Sequence, residues 1–161
     1  MKSIFKNLSI VIPCFNEEEV LPQTYNELKN IINNLSNINK HQLVFVNNGS
    51  NDNTLKVLLS LKEKDVNIKI LDLRNNYGYQ GSITAGLYNS DFDIIISIDA
   101  DLQDDASKIP EMIDNYYSGF EMVLGVRRSR NTDFFLKSFF SISFYKFLSL
   151  SILSSSICSH E

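Results

Sequence analysis

Residues Asp93–Asp104 read DIIISIDADLQD, an isoleucine-rich run that breaks at its end into carboxylates two positions apart. A short apolar run of β-branched residues bounded by polar ones predicts a strand over Asp93–Ile98, buried on both faces as in a parallel sheet. Asp99 and Asp101 then stand at its exit, where extended backbone projects both carboxylates to one side. Two hard oxygen donors suit Mg2+ or Mn2+, which keep other positions for water and phosphate oxygens. Gln103 adds a carbonyl oxygen or a group to orient a metal-bound water. Aspartates also form turns and cap helices, and the spacing alone does not separate these roles.

Similar runs recur on both sides of this stretch. Leu8–Pro13 (LSIVIP), Gln42–Val46 (QLVFV), Ile68–Leu73 (IKILDL) and Phe120–Gly125 (FEMVLG) read as further strands. Helical segments are predicted between them at about Glu18–Leu35, Asn53–Lys64, Ser82–Asn89 and Lys108–Tyr117. Strands alternating with helices, joined by right-handed crossovers, predict an α/β fold: an open, mostly parallel sheet with helices on both faces. In such a sheet, ligands bind at the carboxyl edge of the strands. The polar clusters that follow the strands fall on that edge: Cys14–Glu19, Asn47–Asp52, Arg74–Gly78, Asp99–Asp104 and Arg127–Arg130.

Each cluster suggests its own chemistry. The Asn48 amide can accept from a ring N–H and donate to a ring carbonyl of a nucleobase. Ser50 or Asp52 reads as a cap for the helix that follows. Pro13 and Phe15 offer a wall for a base, and Phe15 equally fits core packing. Glu17 reads as an acidic residue before a helix, favourable with its dipole. Arg127 directly follows the last predicted strand, and a guanidinium fork matches phosphate oxygens. Arg128 and Arg130 fit a solvated charge run as well as a phosphate site.

The composition excludes several classes. The chain has 161 residues, 43% hydrophobic and 21% charged, with Lys and Arg totalling 15 against 19 Asp and Glu and a net charge of −4. These proportions fit one globular domain large enough to form a core without staples. The charge balance argues against nucleic acid as a partner. Cys14 and Cys158 lie at opposite ends, and Met1–Asn7 carries no leader pattern, so a reduced, cytoplasmic setting is expected. No uninterrupted apolar stretch reaches the roughly 20 residues of a membrane span. Phe134–Ile157 comes nearest, with Lys137 and Lys146 its only charges; it suits either the interfacial plane of a bilayer or packing on a protein surface. There is no GxxxxGK[ST] loop, no GxGxxG after the first strand, and no arguable Ser-His-Asp arrangement.

Taken together, Ser9–Leu21 (SIVIPCFNEEEVL), Val44–Thr54 (VFVNNGSNDNT), Leu73–Leu87 (LRNNYGYQGSITAGL), Ile98–Gln103 (IDADLQ) and Gly125–Arg127 (GVR) resemble family-2 glycosyltransferases of GT-A fold. The likeness is nearest to the branch that makes polyprenyl-phosphate sugars, of dolichol and bactoprenol type. It implies a UDP- or GDP-linked sugar donor, a polyprenyl-phosphate acceptor and inverting, metal-dependent transfer in the making of cell-envelope glycans. Pro13, Phe15, Glu17 and Asn48 would bind the donor, and Asp99, Asp101 and Gln103 the metal and diphosphate. Asp101 and Arg127 would serve the reaction itself, with Lys137 a second phosphate contact. Departures are an amide pair at Asn47 and Asn48, where the family usually has aspartates, and Asp105 and Ala106 in place of paired prolines. No acidic acceptor-side motif follows Arg130. The expectation is a donor-binding domain over 1–130 and the start of an acceptor or membrane-proximal region over 131–161, peripheral at the inner face of the membrane. Donor binding without catalysis, and transfer to a saccharide hydroxyl, stay open as alternatives.

Overall fold

The computed structural model describes residues 5–125. By internal contacts the chain divides into a unit of residues 1–123 and a second of residues 124–161; the first carries the fold. Its strands are β1 (Lys6–Cys14), β2 (Ile38–Asn48), β3 (Ile68–Leu73) and β4 (Ile94–Ser97). Its α-helices are α1 (Leu21–Asn33), α2 (Thr54–Lys64), α3 (Gly78–Tyr88) and α4 (Ile109–Tyr117).

The four strands form one sheet in the order β3-β2-β1-β4, every neighbouring pair parallel. Alternate side chains of β1 and β2 build two cores, as strand periodicity requires. Leu8, Ile10, Ile12, Leu43 and Phe45 join Leu21 and Leu28 of α1, Leu58 of α2, and Ile109 and Ile113 of α4. Val11, Val44 and Val46 face the other way, towards Ala85 of α3. Helices therefore cover both faces, as expected. In α1 the buried Leu21, Thr24, Leu28 and Ile32 fall at steps of three and four, one helical stripe. The prolines at the starts of α1 and α4 occupy positions where a missing N–H costs nothing.

Two expectations need correction. Residues 120–125 form no strand; Phe120 and Met122 are 60% and 76% exposed, and an apolar run without a ladder partner has nothing to hold it extended. β4 is consequently an edge among the described residues and is buried on one face only, Ile94 and Ile96 inside and Ile95 exposed. The helix after β3 begins at Gly78, not near Ser82. Among the described residues no helix is long and apolar enough to cross a membrane.

Candidate functional site

With β1 flanked by β2 on one side and β4 on the other, chain connections run in opposite directions from it, and a crevice opens at the carboxyl ends of β1 and β4. The β1–β4 ladder runs out at Val11 and Ser97, closed by Ile98 N donating to Val11 O at 3.1 Å. Beyond it the two chains separate. A cavity of about 330 Å³ lies there, lined by residues that include Pro13, Phe15, Glu17, Asn48, Tyr79, Asp99 and Asp101. Of the residues singled out from sequence, it thus joins Pro13, Phe15, Glu17, Asn48, Asp99 and Asp101. Gln103 is not among the lining residues; its link to the site is its backbone N–H, which donates to Asp101 Oδ1 at 3.0 Å. Arg127 and Lys137 lie outside the described residues.

The aspartate turn is anchored from beneath. Ala100 is buried, and its carbonyl accepts from Thr24 Oγ1 of α1 at 2.7 Å. Leu102 takes a φ of 59°, a left-handed conformation costing a non-glycine residue roughly 1–2 kcal/mol. Strain of this kind persists where surrounding contacts over-determine the backbone. Here the Thr24 bond and the Asp101–Gln103 turn do so.

The loop after β1 is tied to the loop after β2. Asn16, at φ 58°, donates its N–H to Ser50 Oγ at 3.0 Å and accepts from Asn51 N at 2.8 Å. Glu17 N donates to Thr54 Oγ1 at 2.8 Å. Asp52 accepts from Glu18 N at 3.2 Å and Thr54 N at 2.9 Å, so it holds the turn before α2, whose N-cap is Asn53 and not Ser50 or Asp52, while Ser50 serves the neighbouring loop. Cys14 is buried beneath, its thiol held well above the usual range by burial and then by Glu17; it is packing, not a nucleophile.

Electrostatically the crevice is acidic. Glu17 is raised above the ordinary carboxylate value by burial, then by Asp101, Asp52 and Asp99. The Tyr79 phenol is pushed up to about 12 by burial, by its hydrogen bond to Asp99, and by the charges of Asp99, Asp104 and Asp101. No Lys or Arg among the described residues lines the cavity. Among the described residues no group of three or more His, Cys, Asp and Glu gathers as a metal cage. Two neighbouring carboxylates in an acidic crevice suit a hard cation that takes its other ligands from phosphate and water.

Sequence reading placed Asn76 and Gly78 on this edge but missed Tyr79 and Ser82 as lining residues. The cluster after β3 had been closed at Gly78, one residue short of Tyr79. The signal was the run NNYGY itself, where a glycine between aromatics marks a tight entry to the next helix.

This geometry defines a doubly wound α/β protein with its ligand crevice at the switch point. The chain belongs to Glycosyl transferase family 2, whose sequence profile matches residues 9–156. It is 39% identical over 141 residues to an uncharacterized glycosyltransferase, YkcC, of Bacillus subtilis (strain 168), covering 88% of this chain and 43% of that protein. It is 37% identical to a prophage bactoprenol glucosyl transferase homolog of Escherichia coli (strain K12), covering 86% of this chain and 45% of that protein. The chain thus spans a little under half the length of the curated relatives it matches. Among solved structures it resembles the mannosyltransferase PcManGT from Pyrobaculum calidifontis in complex with GDP-Man and Mn2+, with a TM-score of 0.54, 17% identity and coverage of 65% and 30% of the two chains. Glucosyl-3-phosphoglycerate synthase of M. tuberculosis gives a TM-score of 0.52, 18% identity and coverage of 71% and 41%. The fold is accordingly the GT-A fold of these enzymes, as the sequence resemblance implied.

Proposed function

We propose that the crevice binds a UDP- or GDP-linked sugar, and that the chain forms the donor-binding part of an inverting transferase acting on a polyprenyl phosphate. The observation that carries this reading is the meeting of Asp99 and Asp101 with Pro13, Phe15, Glu17 and Asn48 in one cavity. Half-exposed Phe15 and Pro13 supply an apolar surface on which a base can pack. Asp99 and Asp101 would hold Mg2+ or Mn2+, and the acidic lining, which has no Lys or Arg among the described residues, fits that assignment. When bound, the ion supplies neutralising charge to the donor diphosphate. Gln103 would support the ion through its backbone bond to Asp101.

In the transfer, an acceptor phosphate oxygen attacks the anomeric carbon from the face opposite the leaving group. The bond from that carbon to the diphosphate oxygen breaks, and its electron pair leaves with the nucleoside diphosphate. The acceptor is already anionic at neutral pH, so this displacement needs no general base. Arg127 and Lys137 are assigned to phosphate contacts from the sequence resemblance, and membrane-surface contact is assigned to Phe134–Ile157 from its composition. Likeness to a bactoprenol glucosyl transferase homolog supports the choice of acceptor, and a cytoplasmic, membrane-peripheral location follows from that choice.

The test combines thermal stability of the full chain with UDP or GDP, with and without Mn2+, and turnover with a polyprenyl phosphate. Mn2+-dependent stabilisation is expected, together with sugar transfer to the lipid. Stabilisation without turnover assigns this chain donor binding alone, and transfer to a saccharide hydroxyl would replace the acceptor. Asp101→Ala should abolish Mn2+-dependent nucleotide binding and leave the fold intact, because among the described residues this exposed side chain accepts a hydrogen bond from its own turn alone. Unchanged binding in that variant removes the metal assignment.

A further inference from the structure

Tyr79 stands in the first turn of α3 with its ring 53% exposed, and its Oη donates to Asp99 Oδ1 at 2.7 Å. The turn that launches α3 is itself held by one buried side chain. Asn48, 4% exposed at the end of β2, accepts from Tyr77 N at 2.9 Å. Its Nδ2 donates to Gly78 O and to Asn76 Oδ1, each at 3.1 Å. Asn76 Oδ1 also accepts from Gly78 N at 2.8 Å, and Gly78 adopts a φ of 76° that favours glycine. The amide is thus committed on both its oxygen and its nitrogen to the three residues immediately before Tyr79. A carboxylate in its place has no hydrogen to donate and would face the Gly78 carbonyl.

We infer that Asn48 and Tyr79 act in series as a positioning relay for Asp99. Asn48 fixes the turn at residues 76–78, the turn aims Tyr79 across the crevice, and the phenol holds the Asp99 carboxylate in one orientation. The relay rests on the donor-site reading above and adds residues that act through Asp99. Its physical basis is pre-organisation: a carboxylate at a strand end must otherwise settle its rotamer when the cation arrives. Groups that hydrogen-bond a ligating carboxylate typically contribute about 10–100-fold to metal affinity. This role gives the amide at position 48 a function that an aspartate cannot perform.

The experiment titrates Mn2+ into the full chain with whichever of UDP or GDP the wild type binds, reading free Mn2+ by electron paramagnetic resonance. Nucleotide affinity without metal and Tm are measured beside it. Tyr79→Phe removes only Oη from a half-exposed residue; it should weaken Mn2+ binding by about 10-fold, more than it changes metal-free nucleotide affinity, and leave Tm unchanged. Asn48→Asp should weaken Mn2+ binding as well. Adding Tyr79→Phe to that variant should cost nothing further, because groups acting in series are not additive. Should Asn48→Asp fail to fold, Asn76→Ala takes its place, since it removes one of the two acceptors of the same amide, from an exposed position. Wild-type Mn2+ affinity in Tyr79→Phe, or losses that simply add, overturns the relay while the donor site stands. A wild-type chain that binds no Mn2+ with either nucleotide overturns both.

Discussion

Asn47, 3% exposed, donates Nδ2 to Asp72 Oδ1 at 2.7 Å, and its own Oδ1 accepts from Ser50 N at 3.4 Å. With Asn48 wired to Asn76 and Gly78, both amides of the pair spend their N–H groups on acceptors of β3 and the turn after it. Asn47→Asp would set two carboxylates against each other at that distance, one of them on a buried residue. The expected cost is about 1–3 kcal/mol at pH 7. It should shrink as pH falls through the carboxylate range and the repulsion is relieved. Urea unfolding of both proteins at pH 7 and pH 4 checks the size and the sign. The pair was legible as polar residues at a strand exit, but its partners were not. Asp72 lies 25 residues away, and only the parallel register of β2 and β3, which sets Asn47 beside Asp72, brings them together.

At the scale of elements, α3 is held close to the sheet by what it lacks. A Cβ on Gly86 would overlap Val11 Cγ1 and lie 3.1 Å from Val46 Cγ2, so the helix rests directly on the valines of β1 and β2. Gly86→Ala, otherwise favourable for a helix, should here push α3 outward and destabilise by about 1–3 kcal/mol. Because Tyr79 rides on the first turn of α3, Mn2+-dependent nucleotide binding should weaken with it. Tm and the Mn2+ titration, measured on one preparation, test the linkage. The starts of α1 and α2 were read from sequence to within a few residues, since each opens where a polar cluster gives way to a helical apolar period. The start of α3 was not: Asn76–Gly81 carries no apolar period, and its helical turn is imposed by Asn48. The run at 120–125 failed as a strand for the complementary reason. Apolar content makes a strand possible, and a neighbouring strand makes it one.

At the scale of the molecule, the edge of the sheet opposite the crevice is locked by a buried charge. Asp65, 7% exposed between α2 and β3, accepts from Tyr25 Oη at 3.1 Å and Lys29 Nζ at 2.5 Å, both from α1, and from Asn67 N at 3.0 Å. Burial alone would raise this carboxyl; the bonds from Lys29, Asn67 and Tyr25 outweigh it and bring it down to about 2 from the usual 3.8. The folded state therefore holds fewer protons than the unfolded chain across that interval. The stability Asp65 provides is complete above about pH 4 and is lost as pH falls towards 2. Asp65→Asn should lower Tm at pH 7, and its deficit against the wild type should narrow through that window. A deficit constant from pH 7 to pH 2 would mean that the charge is not what stabilises. The two ends of the sheet thus differ in kind. One neutralises its carboxylate internally, and the other has no Lys or Arg beside its carboxylates among the described lining residues.

The amino-acid order by itself determined the α/β class, four of the strands, the presence of helices on both faces of the sheet and the strand exits that carry polar groups. These follow from periodicity and from the direction of a parallel chain, which are properties of neighbours in sequence. Only the tertiary structure decided which exits meet. The order β3-β2-β1-β4 sets β1 beside β4, so residues 13–17 face residues 99–101 across the crevice. It also decided that Asn48 reaches into the β3–α3 turn and that Tyr79 reaches Asp99. Such contacts depend on strand register and close helix approach, and they come into being only when distant segments pack.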